Sequence, residues 1–404
     1  MRKIIRVLVV VLVVAGVTVS GYYLWDQVTQ ASTDELEQIV QRDGVPFKAG
    51  SIPDEILDHL SASRVVLVGE THFIGEHTQF TDELLRELHT RGFRQYLFEW
   101  TQAADWALAD YINDGGLLPD WEVPHLLGDP IVAIRDFNRT LPESERIEVH
   151  AIDIHQEDYG GTKSWLTYID YLAQQVLPYP GPLAAFLQGD HDSYENHRLL
   201  LETLQAQLED NRSELTVSWG DYWYKTVVEM VEVELRGVAA RAIKQSDYEE
   251  YVRLREEAIK WLADSRIQSN PNGTLINFGS THSQKKGLWG TEDIEWLGDY
   301  LVHKSPAAEG SVITLWVPAA HIVAAPEEEY PDFDLLTDSP DNELLRAMNQ
   351  AWPDQIVFLP LDDPLFSSGR IPINSSGDIY VAAPKRHFDA ILLLPLAYRD
   401  YLDD

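Results

Sequence analysis

The chain is 404 residues long and carries 66 acidic against 31 basic side chains, a formal charge of −35. A surface that acidic repels phosphate backbones, so nucleic acid is not an expected partner. Cysteine is absent, which removes disulfides, thiolate metal sites and a cysteine nucleophile, while 45% apolar residues suffice for a large folded core.

Residues 1–26 read as an address. Arg2, Lys3 and Arg6 precede an uncharged, mostly apolar run over 7–25 that closes with Tyr22, Tyr23 and Trp25. About twenty such residues cross a bilayer, whereas the apolar core of a cleavable signal is roughly 7–15 residues long. The segment therefore reads as a retained signal anchor in the cell membrane. It would span once as a transmembrane helix, with its N-terminus in the cytoplasm and the acidic body extracytoplasmic. Cleavage near Thr18 and Ser20 would instead give a secreted domain. Residues 27–60 read as a polar linker with short helical turns, the first starting at Thr33-Asp34-Glu35-Leu36.

The first half of an α/β core is expected over 61–162. An apolar strand over 64–69 is followed by helical spacing of Phe80, Leu84, Leu85 and Leu88 within 76–90, a stop at Gly92, and a second strand over 94–100. This βαβ unit implies parallel strands and a right-handed crossover. A third strand spans 147–153. Residues 163–270, rich in Leu, Glu, Gln, Tyr and Arg, have long helical periodicity and read as a helical insertion capping the strand ends. The second half of the core, 271–404, supplies strands at 274–279, 311–317, 355–359 and 389–394, with an acidic loop over 326–341.

Two of these strands end in the same phrase, Gly69-Glu70-Thr71-His72 and Gly279-Ser280-Thr281-His282. Ligands of open α/β sheets sit beyond the carboxyl ends of the strands, so the two phrases point to one site built from two halves. Glu70 and His72 project from the first turn. Glu76, four residues on, would share a helix face with His72 if the helix begins nearby. A histidine with such a carboxylate suits a divalent metal or a base oriented by an acid. Glu99 closes the neighbouring strand within reach of His72, where desolvation would raise its pKa toward general acid–base work. Asp153 and His155 alternate to one side of their chain and form a candidate ligand pair or oriented base. His282 is surrounded by the hydroxyls of Ser280, Thr281 and Ser283 and by no nearby acid, so the second half is expected to support or bind. No Gly-x-Ser-x-Gly elbow accompanies it.

Other polar groups carry less. Gly189-Asp-His-Asp-Ser-Tyr-Glu-Asn-His197 is dense in ligand-type residues but lies between helices and reads as a loop. His321 follows another strand end and could line the cleft. His387 precedes the last strand, at the opposite end of the sheet. Arg255 could reach in as an anion clamp, although Arg253-Leu-Arg-Glu-Glu257 has the pattern of a solvated helix face.

Gly69-Glu-Thr-His72 with Glu76, a helix ending in Arg91-Gly-Phe93, a strand ending in Glu99, the later Gly279-Ser-Thr-His282, the preceding helix Leu254-Arg-Glu-Glu-Ala-Ile-Lys-Trp-Leu262 and the closing Phe388-Asp-Ala-Ile-Leu-Leu393 resemble the erythromycin esterase-like and Tiki/TraB/ChaN superfamily. The resemblance implies an α/β fold with a mostly parallel central sheet flanked by helices, a helical cap insertion and a cleft at the strand ends. It implies a hydrolase of a small-molecule or peptide substrate, with His72 activating water against an ester or amide. Glu76 or Glu99 would orient that histidine; from the residues themselves, Glu70 would join in tuning it, His282 would complete the site, and Asp153, His155 and Arg255 are the candidate substrate-binding residues. A Tiki-like member would hold a divalent metal on His72, Glu99 and His282 and cleave peptides. A ChaN-like member would bind haem without turnover.

Overall fold

A computed structural model describes residues 31–72, 74–119, 130–156, 164–287, 293–323, 333–334, 342–368, 371–375 and 378–398. The expected anchor at 1–26 and most of the acidic loop at 326–341 lie outside the described residues. Among those described, no helix is long and apolar enough to cross a membrane.

The chain becomes regular at Ser32, whose hydroxyl and backbone exchange hydrogen bonds with Glu35 in a capping box that starts α1 (Thr33–Asp43). Leu36, Ile39 and Val40 form its buried stripe. β1 (Val45–Phe47) follows and pairs antiparallel with β9 (Ile356–Pro360), and α2 (Asp54–Ser61) returns the chain to the core. The segment expected as a linker over 27–60 is thus, from residue 33 on, part of the fold. Its polar majority hides an apolar residue every three to four positions, enough to bury one helix face.

The core continues with β2 (Val65–Glu70), α3 (Gly75–His89), β3 (Phe93–Thr101), α4 (Asp105–Tyr111), α5 (Ile131–Asn138) and β4 (Glu148–Asp153). The described part of the helical segment forms α6 (Trp165–Gln175), α7 (Pro182–Leu187), α8 (Tyr194–Asp210), α9 (Arg212–Trp219), α10 (Asp221–Arg241) and α11 (Tyr248–Ser269). Then come β5 (Gly273–Gly279), α12 (Leu297–His303), β6 (Val312–Trp316), β7 (His321–Val323), β8 (Phe333–Asp334), α13 (Glu343–Ala351) and β9. The chain closes with α14 (Pro364–Ser368), β10 (Ile371–Ser375), β11 (Asp378–Ala382), β12 (Ala390–Leu393) and β13 (Ala397–Tyr398).

Eight strands form the central sheet in the order β1-β9-β12-β6-β2-β5-β3-β4. From β12 to β4 every pairing is parallel, and at one end β9 runs against them and pairs antiparallel with both β12 and β1. The mostly parallel α/β architecture is therefore as the sequence implied. β2 lies between β6 and β5, so all of Val65, Val66, Leu67 and Val68 are buried, as a strand covered on both faces requires. Val66 and Val68 join Leu84 and Leu88 of α3 on one face. Val65 and Leu67 join Ile259, Leu262 and Ala263 of α11 on the other. Because α11 packs on that face and leads directly into β5, it belongs to the sheet's own covering layer. A third cluster, Leu36 and Val40 with Leu345, Met348, Val357 and Phe366, covers the antiparallel end. β7 joins β8 and β13 in a separate small sheet just beyond the ends of β6 and β12, and β10 and β11 form a hairpin.

Candidate active site

The two halves of the repeated phrase meet through their glycines. Register aligns Glu70 with Gly279 across the β2–β5 pair. A Cβ on Gly69 would stand 2.1 Å from the Ser283 hydroxyl, and one on Gly279 would stand 2.6 Å from His72 Nε2. Gly279 is thus needed to admit His72 of the first phrase, and Gly69 to admit Ser283, the residue that follows the second.

His72 lies at the ends of these strands, with its side chain 39% exposed. Its Nδ1 donates to Glu70 Oε1 at 3.2 Å, and Asn277 Nδ2 donates to the other oxygen of Glu70 at 2.5 Å. Glu70 and Asn277 hang on the α3 face of the sheet, continuing the positions of Val68 and Leu275. Glu99 continues Leu97 on the α11 face, and its Oε2 lies 3.7 Å from His72 Nε2. His72 thus bridges the two faces, one ring nitrogen toward a carboxylate on each. Burial opposes charge on the ring, but Glu99 and Glu70 outweigh it and raise its pKa to about 9. Burial likewise opposes charge on Glu70, but His72, His77 and Asn277 prevail and hold it below its ordinary value.

The second histidine repeats the pattern. His282 is buried, with Nδ1 against Glu256 Oε1 and Nε2 3.6 Å from Glu99 Oε1. Two carboxylate–imidazole pairs, Glu70–His72 and Glu256–His282, therefore converge on Glu99. The Gly279 amide donates to Glu99 Oε2 at 2.8 Å, and Arg255 Nη2 donates to Oε1 at 2.5 Å. Burial would raise Glu99, as the strand-end position suggested. His282, His72, Arg255 and the Gly279 amide reverse the sign and hold it well below the carboxylate range.

Several expectations change. Arg255 does not stand free as an anion clamp, because its guanidinium is shared by Glu99 and by Asp153, to which it donates at 2.6 and 3.0 Å. Asp153 accordingly orients Arg255 rather than pairing with His155. His155 packs edge-on to Tyr168, its Nδ1 is 3.4 Å from the Thr101 hydroxyl, and its carbonyl accepts from Arg241. α3 begins at Gly75, after His72, so the spacing argument for Glu76 does not apply. Its carboxylate accepts instead from the Tyr398 amide of β13 at 2.7 Å. His321 opens β7 just past the end of β6, and His387 lies at the start of β12 with Nδ1 on the Lys286 carbonyl. The donor set His72, Glu99 and His282 does not fit a metal. Among the described residues no group of three or more such side chains is arranged to hold one, and the Arg255 guanidinium sits 3.5 Å from His282 Nε2.

Glu256 and Asn277 were not singled out from the sequence. Both carried a signal. Glu256 falls on the stripe Val252, Ile259, Ala263 and Ile267 of α11, all buried. Asn277 interrupts the apolar run Leu275-Ile-Asn-Phe278 of a strand buried on both faces.

No protein-family model matches the chain, and no curated protein matches it in sequence. Solved structures do. A protein from Bacillus cereus superposes with a TM-score of 0.69 at 13% identity, covering 93% of this chain and 100% of that one. A succinoglycan biosynthesis protein gives 0.66 at 14% identity, with the same coverage. A histidine-to-asparagine mutant of erythromycin esterase EreC, in its open conformation, gives 0.61 at 15% identity over 87% of this chain and 95% of that one. The chain has the erythromycin esterase-like fold. At these identities the likeness is one of architecture. A haem-bound ChaN of Campylobacter jejuni superposes with a TM-score of only 0.30 and bears no weight.

Proposed function

We propose that this erythromycin esterase-like chain is a hydrolase in which His72 takes a proton from water as that water attacks an ester or amide carbonyl. The observation that carries the reading is the placement of the His72 ring between two carboxylates. In the neutral ring Glu70 holds Nδ1–H, so Nε2, at the part-exposed edge beside Glu99, is the basic nitrogen. The water oxygen bonds to the carbonyl carbon and its proton passes to Nε2. The bond from that carbon to the leaving oxygen or nitrogen then breaks, and the leaving group takes up a proton. Glu99 stabilises the imidazolium formed on the way, and Arg255 and the Gly279 amide keep Glu99 ionised. His282, aligned by Glu256, would complete the site beside Glu99. The basic and then apolar sequence over 1–26 supports an anchored enzyme acting outside the cytoplasm on a small molecule or peptide.

A positioned base is worth about 10²–10⁴-fold in rate. His72→Ala should lower kcat by that factor against an ester and amide panel while leaving the thermal midpoint nearly unchanged. Full activity in this variant would end the proposal. A Soret band that titrates with added haem, is lost in His72→Ala and comes with no turnover in the parent would replace it with a haem-binding module.

A further inference from the structure

Asp153 and Arg255 are joined by an arm that reaches away from His72. The segment leaving β4 places Gln156 beside Asp153, and α11 places Tyr251 one turn before Arg255. Gln156 Nε2 donates to Asp153 Oδ2 at 2.8 Å, and the Tyr251 hydroxyl lies 3.2 Å from Gln156 Oε1. A carboxylate only accepts, so the amide nitrogen of Gln156 faces Asp153 and its oxygen faces Tyr251, which donates. Burial pushes the Tyr251 phenol up to about 12, so that proton stays in place. Tyr251 itself is 3% exposed and joins Ile154 in the core on the α11 face of the sheet. The direction of every hydrogen bond from Tyr251 to Glu99 is therefore fixed.

The arm completes the setting of Asp153. Its Oδ1 accepts from the Ile154 amide at 2.7 Å and from Arg255 Nε at 3.0 Å. Its Oδ2 accepts from Gln156 at 2.8 Å and from Arg255 Nη2 at 2.6 Å. A carboxylate offers about four lone-pair sites, so these donors fill it and leave it no freedom to turn. Asp153 in turn grips one side of the guanidinium through Nε and Nη2, a two-point contact that sets the plane of the group. The second proton of Nη2 is thereby aimed at Glu99 Oε1, 2.5 Å away. We propose that Gln156, held by Tyr251, is a positioning residue that aims Arg255 at Glu99 by locking the Asp153 carboxylate. Its effect on rate rests on the hydrolase reading, in which Glu99 stabilises the His72 imidazolium. Without the Gln156 donor, Oδ2 regains an open site, the carboxylate can turn, and the guanidinium turns with it. The Gly279 amide then remains on Glu99, but the cation beside it is no longer aligned.

The test uses the full chain and two variants. Gln156→Met keeps the length of a part-exposed side chain and removes the donor, whereas Tyr251→Phe spares the amide and removes only its partner. Misplacing a catalytic group by about 1 Å can cost about 10²-fold in rate, so a cation that is loosened but not lost should cost about tenfold. In Gln156→Met, kcat on a neutral ester should fall by that factor with KM kept within about twofold, because Gln156 acts through Arg255 and not on the substrate. In Tyr251→Phe the fall should be smaller, about two- to threefold. The Arg255 Nε–H resonance, identified by its loss in Arg255→Lys, should shift in both variants and further in Gln156→Met. Parental kcat in Gln156→Met, or an Arg255 resonance that stays in place there, would overturn the proposal. So would a larger loss of kcat in Tyr251→Phe than in Gln156→Met, which would put the effect in the packing of α11. The resonance is read without substrate. A parent chain that turns over no ester or amide, with an Arg255 resonance that still moves in Gln156→Met, would end the hydrolase reading and leave the positioning of Arg255 standing.

Discussion

Removing the charge of Glu99 should move the pH dependence of catalysis without dismantling the site. With a pKa near 9, His72 is neutral in about one molecule in a hundred at pH 7, so kcat/KM should climb on an alkaline limb with a midpoint near 9. Glu99 Oε2 stands 3.7 Å from the ring nitrogen. Unit charges at that separation interact by about 4 kcal/mol at an effective dielectric of about 20, equivalent to about three pH units. Solvent at the part-exposed ring and the opposing charge of Arg255 cut this by half or more. Glu99→Gln should therefore lower the midpoint by about one to two pH units. The new amide can still accept from the Gly279 N–H, and Arg255 retains Asp153. The stability loss should then be about 1–3 kcal/mol, less than for a buried ion left wholly unpaired. The maximal rate should also fall, because the imidazolium formed in the reaction loses its neighbour. The assay is kcat/KM against pH on a neutral ester, read beside an NMR titration of the His72 ring. A midpoint that stays near 9 in Glu99→Gln while Glu70→Gln moves it would refute the assigned role of Glu99.

Three further outcomes follow from the geometry. Gly279→Ala leaves every charge intact but drives a methyl group to 2.6 Å from His72 Nε2, so activity should fall at least tenfold with the His72 ring displaced, as NMR shifts or a crystal structure would register. Glu76→Gln should leave kcat/KM within about twofold, since that side chain serves the Tyr398 amide, and a catalytic collapse would restore it to the site. Folding stability should decline on both sides of neutrality, as urea midpoints across pH would show. Above pH 6.5 the contribution of His72, whose folded pKa is raised, fades as pH passes through about 9. On acidification the contributions of Glu70, Glu99 and Asp105, all depressed, are lost below the ordinary carboxylate range.

Much of this arrangement was legible because parallel strands advertise themselves as short apolar runs, and their carboxyl ends are where polar residues have chemical work. His72, Glu99 and His282 follow from that rule alone. β1 was not legible, because three residues that include Pro46 give no periodic signal and acquire meaning only against β9. The partners of Arg255 and the inward turn of Glu256 were not legible for a different reason. In the same run, Arg253 pairs with Glu250 and Glu257 on the solvent side of α11, so composition describes one face while the neighbouring residues turn inward. The Arg255–Asp153 contact joins residues 102 apart in sequence, and no local pattern encodes it. Nor could the sign of the Glu99 shift be foreseen. Desolvation is implied by a strand end, but beside His72 the groups that overrule it include Arg255 from α11 and His282 and the Gly279 amide from the second phrase.

The same charges restrict what can bind. Glu70, Glu99, Asp153 and Glu256 bring four negative charges to one cluster, and Arg255 is the fixed cation among them. The imidazoles of His72 and His282 add at most two positive charges, so the cluster stays negative even when both are protonated. The charge of Arg255 is already shared by two carboxylates, which weakens its attraction for an anion. A substrate with a carboxylate or phosphate next to the scissile bond would meet this field and that of a chain with net charge −35. Neutral and cationic esters should therefore be turned over at least tenfold faster, in kcat/KM, than anionic analogues of equal size. The gap should narrow as salt shortens the Debye length from about 10 Å at 0.1 M toward about 3 Å at 1 M. Matched esters that differ only in one charged group, assayed at two ionic strengths, provide the measurement. An anionic ester preferred at low salt would mean that Arg255 is released from Glu99 on binding, and the resting network would then be a closed state of the site.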